Sequence, residues 1–149
     1  MLTTEIKKYL DQSVLCWLAT VSDDGQPSVS PKEIFTYFGE SHLIIANIAS
    51  PNSLKNIRTN PKVGVSFIEI LVQKGFKLWG QATIIEKTNI EFEELSQPLL
   101  EMTGDKFPFQ SIFKIRIDKV KPILAPRYIL YPETREEEQI EEAKKAYNL

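Results

Sequence analysis

The sequence predicts a mainly β protein: one antiparallel barrel, closed or nearly closed, with short helices at its periphery. Three observations carry this. Apolar segments of strand length recur, among them VLCWLATV at residues 14–21, HLIIANI at 42–48 and KVGVSFIEIL at 62–71. Turn-forming clusters such as SDDG at 22–25 separate several of them. Helical periodicity appears only in short stretches between strands. Closure is expected because such apolar strands, left with open edges, would pair with other chains.

The elements follow in order. Leu2, Ile6, Tyr9 and Leu10 make one apolar face of a first helix over residues 3–10, with Glu5 in its first turn. Residues 14–21 are a strand, and 27–38 a second one joined to it as a hairpin. Residues 38–41 turn, and 42–48 form a third strand, so the three together read as an antiparallel meander. Ser50 is placed to cap a helix over 50–59 with Pro51 in its first turn, and Asn60-Pro61 stops it. Residues 62–71 are a fourth strand, 73–75 a turn and 76–86 a fifth strand. Thr88 and Glu91 form a capping box for a helix to about Leu100. Residues 107–109 are a loop, and 111–120 a sixth strand with one face solvated. The proline-rich stretch 122–132 reads as extended. Thr134 and Glu137 form a second capping box, for a charged helix to about Tyr147.

The chain has 149 residues, the size of a single domain spanning 1–149. Eighteen Lys and Arg against 20 Asp and Glu give a net charge of -2, without the positive field that nucleic acid or anionic lipid would require. VLCWLATV is too short to cross a bilayer, and residues 1–9 resemble neither a signal nor a transit peptide. One cysteine, Cys16, excludes an internal disulfide, and with one histidine, His42, the usual zinc cages are excluded as well. A cytoplasmic location is the expectation. One histidine also supports no Ser/His/Asp triad, and the glycine motifs of nucleotide folds are absent. His42 reads as a surface residue at a strand start, and Cys16 as a buried, inert thiol.

Three segments could carry chemistry. ANIASPNSLKNIRTN at 46–60 sets a hydroxyl- and amide-rich loop before a helix start. The N–H groups there make an anion site, to which Ser50, Asn52 and Ser53 add donors and Lys55 and Arg58 add charge. A phosphate monoester is the natural guest. The alternative is that Ser50 and Asn52 only cap the helix while both cations are solvated. PSVSPKEIFTY at 27–37 carries Pro31 mid-strand, which favours an edge or a bulge. Lys32 and Glu33 then project beside whatever the strand faces, or else pair on a surface edge. QKGFKLWG at 73–80 puts Lys74 and Lys77 at a hairpin start, with a solvated tip as the alternative.

In this order, LATVSDDGQPSVSPKE, LIIANIASPNSLKNIRTNPKVGVSF and KGFKLWGQA resemble the FMN-binding split-barrel family typified by pyridoxamine 5′-phosphate oxidase. The likeness covers residues 14–86 well and the C-terminal part more loosely. It implies a six-stranded antiparallel split β-barrel that forms a homodimer, with FMN in two interface clefts. It also implies Pro31, Lys32 and Glu33 near the flavin ring, and Ala49, Ser50, Asn52, Ser53 and Lys55 near the phosphate. Lys74 and Lys77 would contribute from the hairpin. Many relatives carry lysine or arginine where Ser53 stands, so here the phosphate charge would have to be met by Lys55 or a hairpin lysine. The chain ends in REEEQIEEAKKAYNL, without the substrate-phosphate motif of the true oxidases, so vitamin B6 oxidation is not expected.

The implied activity is that of an FMN-dependent oxidoreductase acting on a small substrate or a nicotinamide. A flat ring held in an apolar slot beside a few polar groups suits these strands, and the flavin supplies the redox chemistry. A lysine beside the ring, with Lys32 the candidate, would raise its potential. Other readings are a non-catalytic flavin-binding or electron-transfer protein, a barrel for a deazaflavin, and a dimer with an empty cleft. A substrate-facing wall is expected within residues 107–131, where Arg127 and Tyr128 either reach the cleft or pack the last helix.

Overall fold

The computed structural model describes residues 1–104 and 106–149. Among them seven strands form one antiparallel sheet: β1 (Cys16–Val21), β2 (Pro27–Lys32), β3 (Phe35–Phe38), β4 (His42–Asn47), β5 (Lys62–Glu69), β6 (Lys74–Glu86) and β7 (Ser111–Leu124). Their order is β2-β1-β5-β6-β7-β4-β3. The helices are α1 (Thr4–Gln12), α2 (Pro51–Thr59), α3 (Phe92–Thr103), α4 (Pro126–Leu130) and α5 (Glu136–Tyr147).

The mainly β, antiparallel expectation holds, with seven strands in place of six. The expected strand over 27–38 is two. β2 pairs with β1 and β3 pairs with β4, so the two pieces lie at opposite edges of the sheet and do not pair with each other. The meander expectation fails for that reason. Only Glu33 and Ile34 separate the pieces, and Ala46 N–H donates to the Ile34 carbonyl at 3.0 Å. The three Cα steps from Lys32 to Phe35 reach at most about 11 Å, so the sheet edges must come together there and the sheet curls into a barrel split along the β2–β3 seam. Pro31 sits on an edge strand, where its missing N–H costs no ladder bond.

β4 is buried on both faces, which its unbroken apolar run anticipates. Leu43 and Ile45 point into the barrel with Leu18, Val65, Phe67, Leu78, Phe113 and Ile115. Ile44 and Ala46 point outward and pack under Leu95 and Leu99 of α3. α1 closes on the interior through Ile6, Tyr9 and Leu10, with the Tyr9 and Phe76 ring centroids 6.1 Å apart. Thr3 Oγ1 caps it by accepting from Ile6 N–H at 3.2 Å.

Several local expectations are overturned. The turn expected at 73–75 lies at 70–73, and Lys74 and Gly75 belong to β6. The turn is apolar in sequence because the Glu69 carboxylate organises it, accepting from Leu71 N–H at 3.2 Å and Val72 N–H at 2.5 Å. Neither capping box forms. α3 starts after Glu91, whose backbone is itself helical, and α5 starts after Arg135, in both cases without a side-chain cap. The proline-rich stretch is not extended throughout: β7 runs on to Leu124, and Pro126 opens α4.

β6 carries two glycines where backbones nearly touch. A Cβ at Gly75 would lie 2.0 Å from the Phe67 carbonyl oxygen, and one at Gly80 2.0 Å from that of Arg116. At Gly80 the register with β7 jumps from Lys119 to Ile117, leaving Asp118 as a bulge. Gly80→Ala should therefore destabilise the protein by about 1–3 kcal/mol in urea unfolding, the cost of forcing atoms into a filled space. Gly64→Ala, with its nearest neighbour at 3.8 Å, should change stability by no more than about 0.5 kcal/mol. Equal effects would contradict the close approach at Gly80.

Candidate functional site

β2 inverts the pattern of a strand over a core. Opposite the buried Cys16, Leu18 and Thr20 of β1 it presents Lys32, Ser30 and Ser28, while Pro27, Val29 and Pro31 face outward. The inward row is polar because it does not face the barrel interior alone. It faces the start of α2, where Ser53 Oγ lies 3.4 Å from Ser30 Oγ and Asn56 Nδ2 donates to Thr20 Oγ1 at 3.0 Å. Ser53 and Asn56 are buried by this contact.

A groove runs between β2 and the loop leading into α2. At one end is a cleft of about 210 Å³ lined by Lys32, Glu33, Ile34, Ala46, Ile48 and Phe107, among others. It shares Pro31, Lys32, Ile48 and Ser50 with a second hollow of about 420 Å³ that reaches Ala49, Asn52 and Ser53. The pair falls in the size range of small-molecule sites, roughly 300–1,000 Å³. The first end is largely apolar, and the second is lined by hydroxyls, an amide and a helix start.

Ser50 stands at the N-cap position of α2, as expected, but its side chain does not cap. Its hydroxyl donates to the Ile48 carbonyl at 3.1 Å and accepts from Lys32 Nζ. Pro51 has no N–H, so Asn52 and Ser53 carry the first free amides of the helix, and no capping side chain meets them. Just before the helix, Ala49 takes a φ of +49°. A non-glycine residue held there is strained, and such strain gathers at ligand sites.

Lys32 is only 9% exposed. Burial lowers the pKa of its amine, and no carboxylate among the described residues offsets that effect. Across the β1–β2 pair, burial pushes the Cys16 thiol up to about 12, partly offset by the Lys32 charge.

The structure thus brings Pro31, Lys32, Glu33, Ala49, Ser50, Asn52 and Ser53 to one groove. Lys55 lies beyond it, in an adjoining hollow with Ser22, Asp24 and Asn52. Lys74 and Lys77 are not in the groove of their own chain. Lys74 Nζ donates to Glu136 at 2.8 Å and sits 4.5 Å from the Tyr128 ring centroid, tying α5 to β6. That hydrogen bond is the main reason its pKa is raised. Lys77 is exposed on the outer face of β6, opposite Ser66.

Of the expected C-terminal wall, Phe107 lines the apolar cleft. Arg127 instead pairs with Glu142 at 2.9 Å, and Tyr128 donates its hydroxyl to the Val72 carbonyl at 2.8 Å, so both pack the C-terminal helices. Ala46 and Ile48 are lining residues that sequence reasoning missed. Their apolar run carried only a strand signal.

A family model described as pyridoxamine 5′-phosphate oxidase matches residues 2–136. No curated protein matches the sequence significantly. Among solved structures, the chain is similar to a Lactobacillus delbrueckii protein described as a candidate pyridoxamine 5′-phosphate oxidase, at 25% identity and TM-score 0.67, covering 80% of this chain and 93% of that one. It is also similar to an FMN-binding protein of Syntrophomonas wolfei, at 14% identity and TM-score 0.70, covering 81% and 85%. A third is HutZ, the heme storage protein of Vibrio cholerae, at 19% identity and TM-score 0.68, covering 82% and 94%. The last two likenesses establish the fold.

The burial that lowers the Lys32 pKa also shields Cys16. Iodoacetamide at about pH 8 should modify Cys16 far more slowly in the folded chain than in urea, because the thiolate is both scarce and enclosed. Mass spectrometry of the alkylated protein measures this. Equal rates would show that the inner face of β1 is open to solvent.

Proposed function

Since the chain belongs to the pyridoxamine 5′-phosphate oxidase family of split barrels, we propose that it is an FMN-binding oxidoreductase whose cofactor occupies the β2–α2 groove. The observation that carries this reading is the uncapped start of α2 beside Ser50, Asn52 and Ser53, continuous with an apolar cleft. Free helix amides suit a phosphate. The cleft beside Ile34, Ala46, Ile48 and Phe107 suits the apolar part of a flat ring, with Pro31 and Glu33 at its edge. Bound FMN would supply hydride or electron transfer. The chain's part is to hold its phosphate, keep water from one side of the ring and leave the other to a small substrate or a nicotinamide. That division of labour needs no acid–base dyad.

The chemistry of the lining favours a phosphorylated flavin over haem. Haem iron is usually held by His, Cys, Met or Tyr, and none of these lines the groove among the described residues. The one histidine lies at the start of β4, its Nδ1 in a hydrogen bond with Ser41 Oγ at 3.0 Å.

A homodimer belongs to the same proposal. The outer face of β2-β1-β5-β6 carries Trp17, Val29 and Trp79, which are 43%, 60% and 39% exposed. The outward side chains of β6, Lys77, Trp79 and Gln81, are exposed, while α3 covers the outer face of β4 and β7. Two half-exposed tryptophans beside a valine make an apolar surface of the kind that twofold assembly buries. Lys77 lies on the same face and would be carried toward a second copy.

The purified protein should show a flavin absorption band, and the stripped protein should regain it on titration with FMN. Light scattering should give twice the chain mass, and Trp17→Glu should shift the population to monomer. A colourless protein that ignores FMN would overturn the cofactor reading. A monomeric wild type would overturn the assembly.

A further inference from the structure

We propose that Lys32 is the residue by which the groove recognises a phosphate, and that it thereby determines preference for the phosphorylated flavin over riboflavin. The proposal rests on the FMN reading above and changes the place of one residue within it. Resemblance puts Lys32 beside the flavin ring. The geometry puts its amine where the two hollows meet, at the head of α2, since Nζ donates to the hydroxyl of Ser50.

Two features of this spot are each incomplete. The helix start has no capping side chain, so its first free amides, Asn52 and Ser53, lack an acceptor from Ser50. Lys32, nine-tenths buried, has no carboxylate partner among the described residues, and its one hydrogen bond to them goes to the neutral Ser50. Buried ammonium groups are normally paired, because an unpaired charge taken out of water loses its hydration without compensation. A dianion at the head of α2 completes both, accepting from the amides and from Lys32.

The other lysines are placed differently. Lys55 faces the hollow with Ser22 and Asp24, Lys74 is held by Glu136, and Lys77 lies on the outer sheet face. Ser53 is buried against Ser30, and the charge enters from β2 across the groove.

The test compares FMN and riboflavin binding, by calorimetry, in the wild type, Lys32→Met and Lys55→Met. Methionine keeps the length of the stem and removes a buried charge, so Lys32→Met should fold, as circular dichroism would verify. Lys32→Met should weaken FMN by roughly 10- to 100-fold, the worth of one charge-assisted hydrogen bond, with riboflavin affinity unchanged. An FMN preference that survives in Lys32→Met, or is lost in Lys55→Met alone, overturns the assignment. Inorganic phosphate, read as a rise in melting temperature, separates this proposal from the cofactor reading. Stabilisation of the wild type but not of Lys32→Met upholds Lys32 even if FMN fails to bind. Equal stabilisation of both, or of neither, overturns it.

Discussion

The two-residue link at Glu33 and Ile34 constrains everything else. It joins β2 and β3, which lie at opposite edges of the seven-stranded sheet. A chain that crosses from one edge to the other in two residues cannot leave the sheet flat, because the edges are brought within one short step. Ala46 N–H fixes the crossing by donating to the Ile34 carbonyl. The sheet closes at that corner and stays open along the rest of the seam. Lys32 is the last residue of β2 before the crossing, and α2 starts five residues after Ala46 in the same corner. The split and the groove are therefore one feature: the closure that makes the barrel leaves a polar strand edge facing a helix start.

Much of the fold was legible because it rests on alternation and on runs. β4 announces burial on both faces by six residues with no charge, and β6 and β7 alternate along most of their length. What was not legible depends on partners distant in sequence. A strand reading of residues 27–38 is locally reasonable, and nothing within it says that its halves belong to different edges. The turn at 70–73 has no glycine or proline, since Glu69 supplies the acceptor that turn residues usually provide. Both failed capping boxes had the right residues at the right spacing, but their helices begin after Glu91 and Arg135, not at the expected threonines. Lys74 read as a free hairpin cation because its anion, Glu136, lies 62 residues away.

The candidate site was legible in membership more than in role. Segments 27–37 and 46–60 do converge on one groove. Ser50 before Pro51 reads as a helix cap, since that is what serine most often does there. Its hydroxyl is engaged elsewhere, by Lys32 and by the Ile48 carbonyl. Only the three-dimensional arrangement shows that the amides behind it are left open. The inward polar row of β2 was visible in principle: SVSPK places Ser28, Ser30 and Lys32 on one side of a strand whose neighbour, CWLATV, presents Cys16 and Leu18 to the same side. A polar row opposite an apolar one is an error in a core and an asset at a binding site.

That contrast bears on why the groove is there at all. Folding favours capped helices, ordinary φ values, paired charges and satisfied buried atoms. Elsewhere α1 is capped by Thr3, and Lys7, Lys74 and Lys114 each have a carboxylate within 3 Å, while α3 and α5 also start without a side-chain cap and Gln73 and Asn148 also take positive φ. Four departures meet at the seam. Ala49 is strained, α2 is uncapped, Lys32 is buried without an anion, and Asn47 Oδ1 is buried without a donor among the described residues. Three of these four lie within six residues of one another, and Lys32 reaches the same spot through Ser50. Their meeting in one corner suits a site completed by a ligand, and two of them, the open amides of α2 and the buried cation of Lys32, call for a hydrogen-bond acceptor and a negative charge, which an anion supplies.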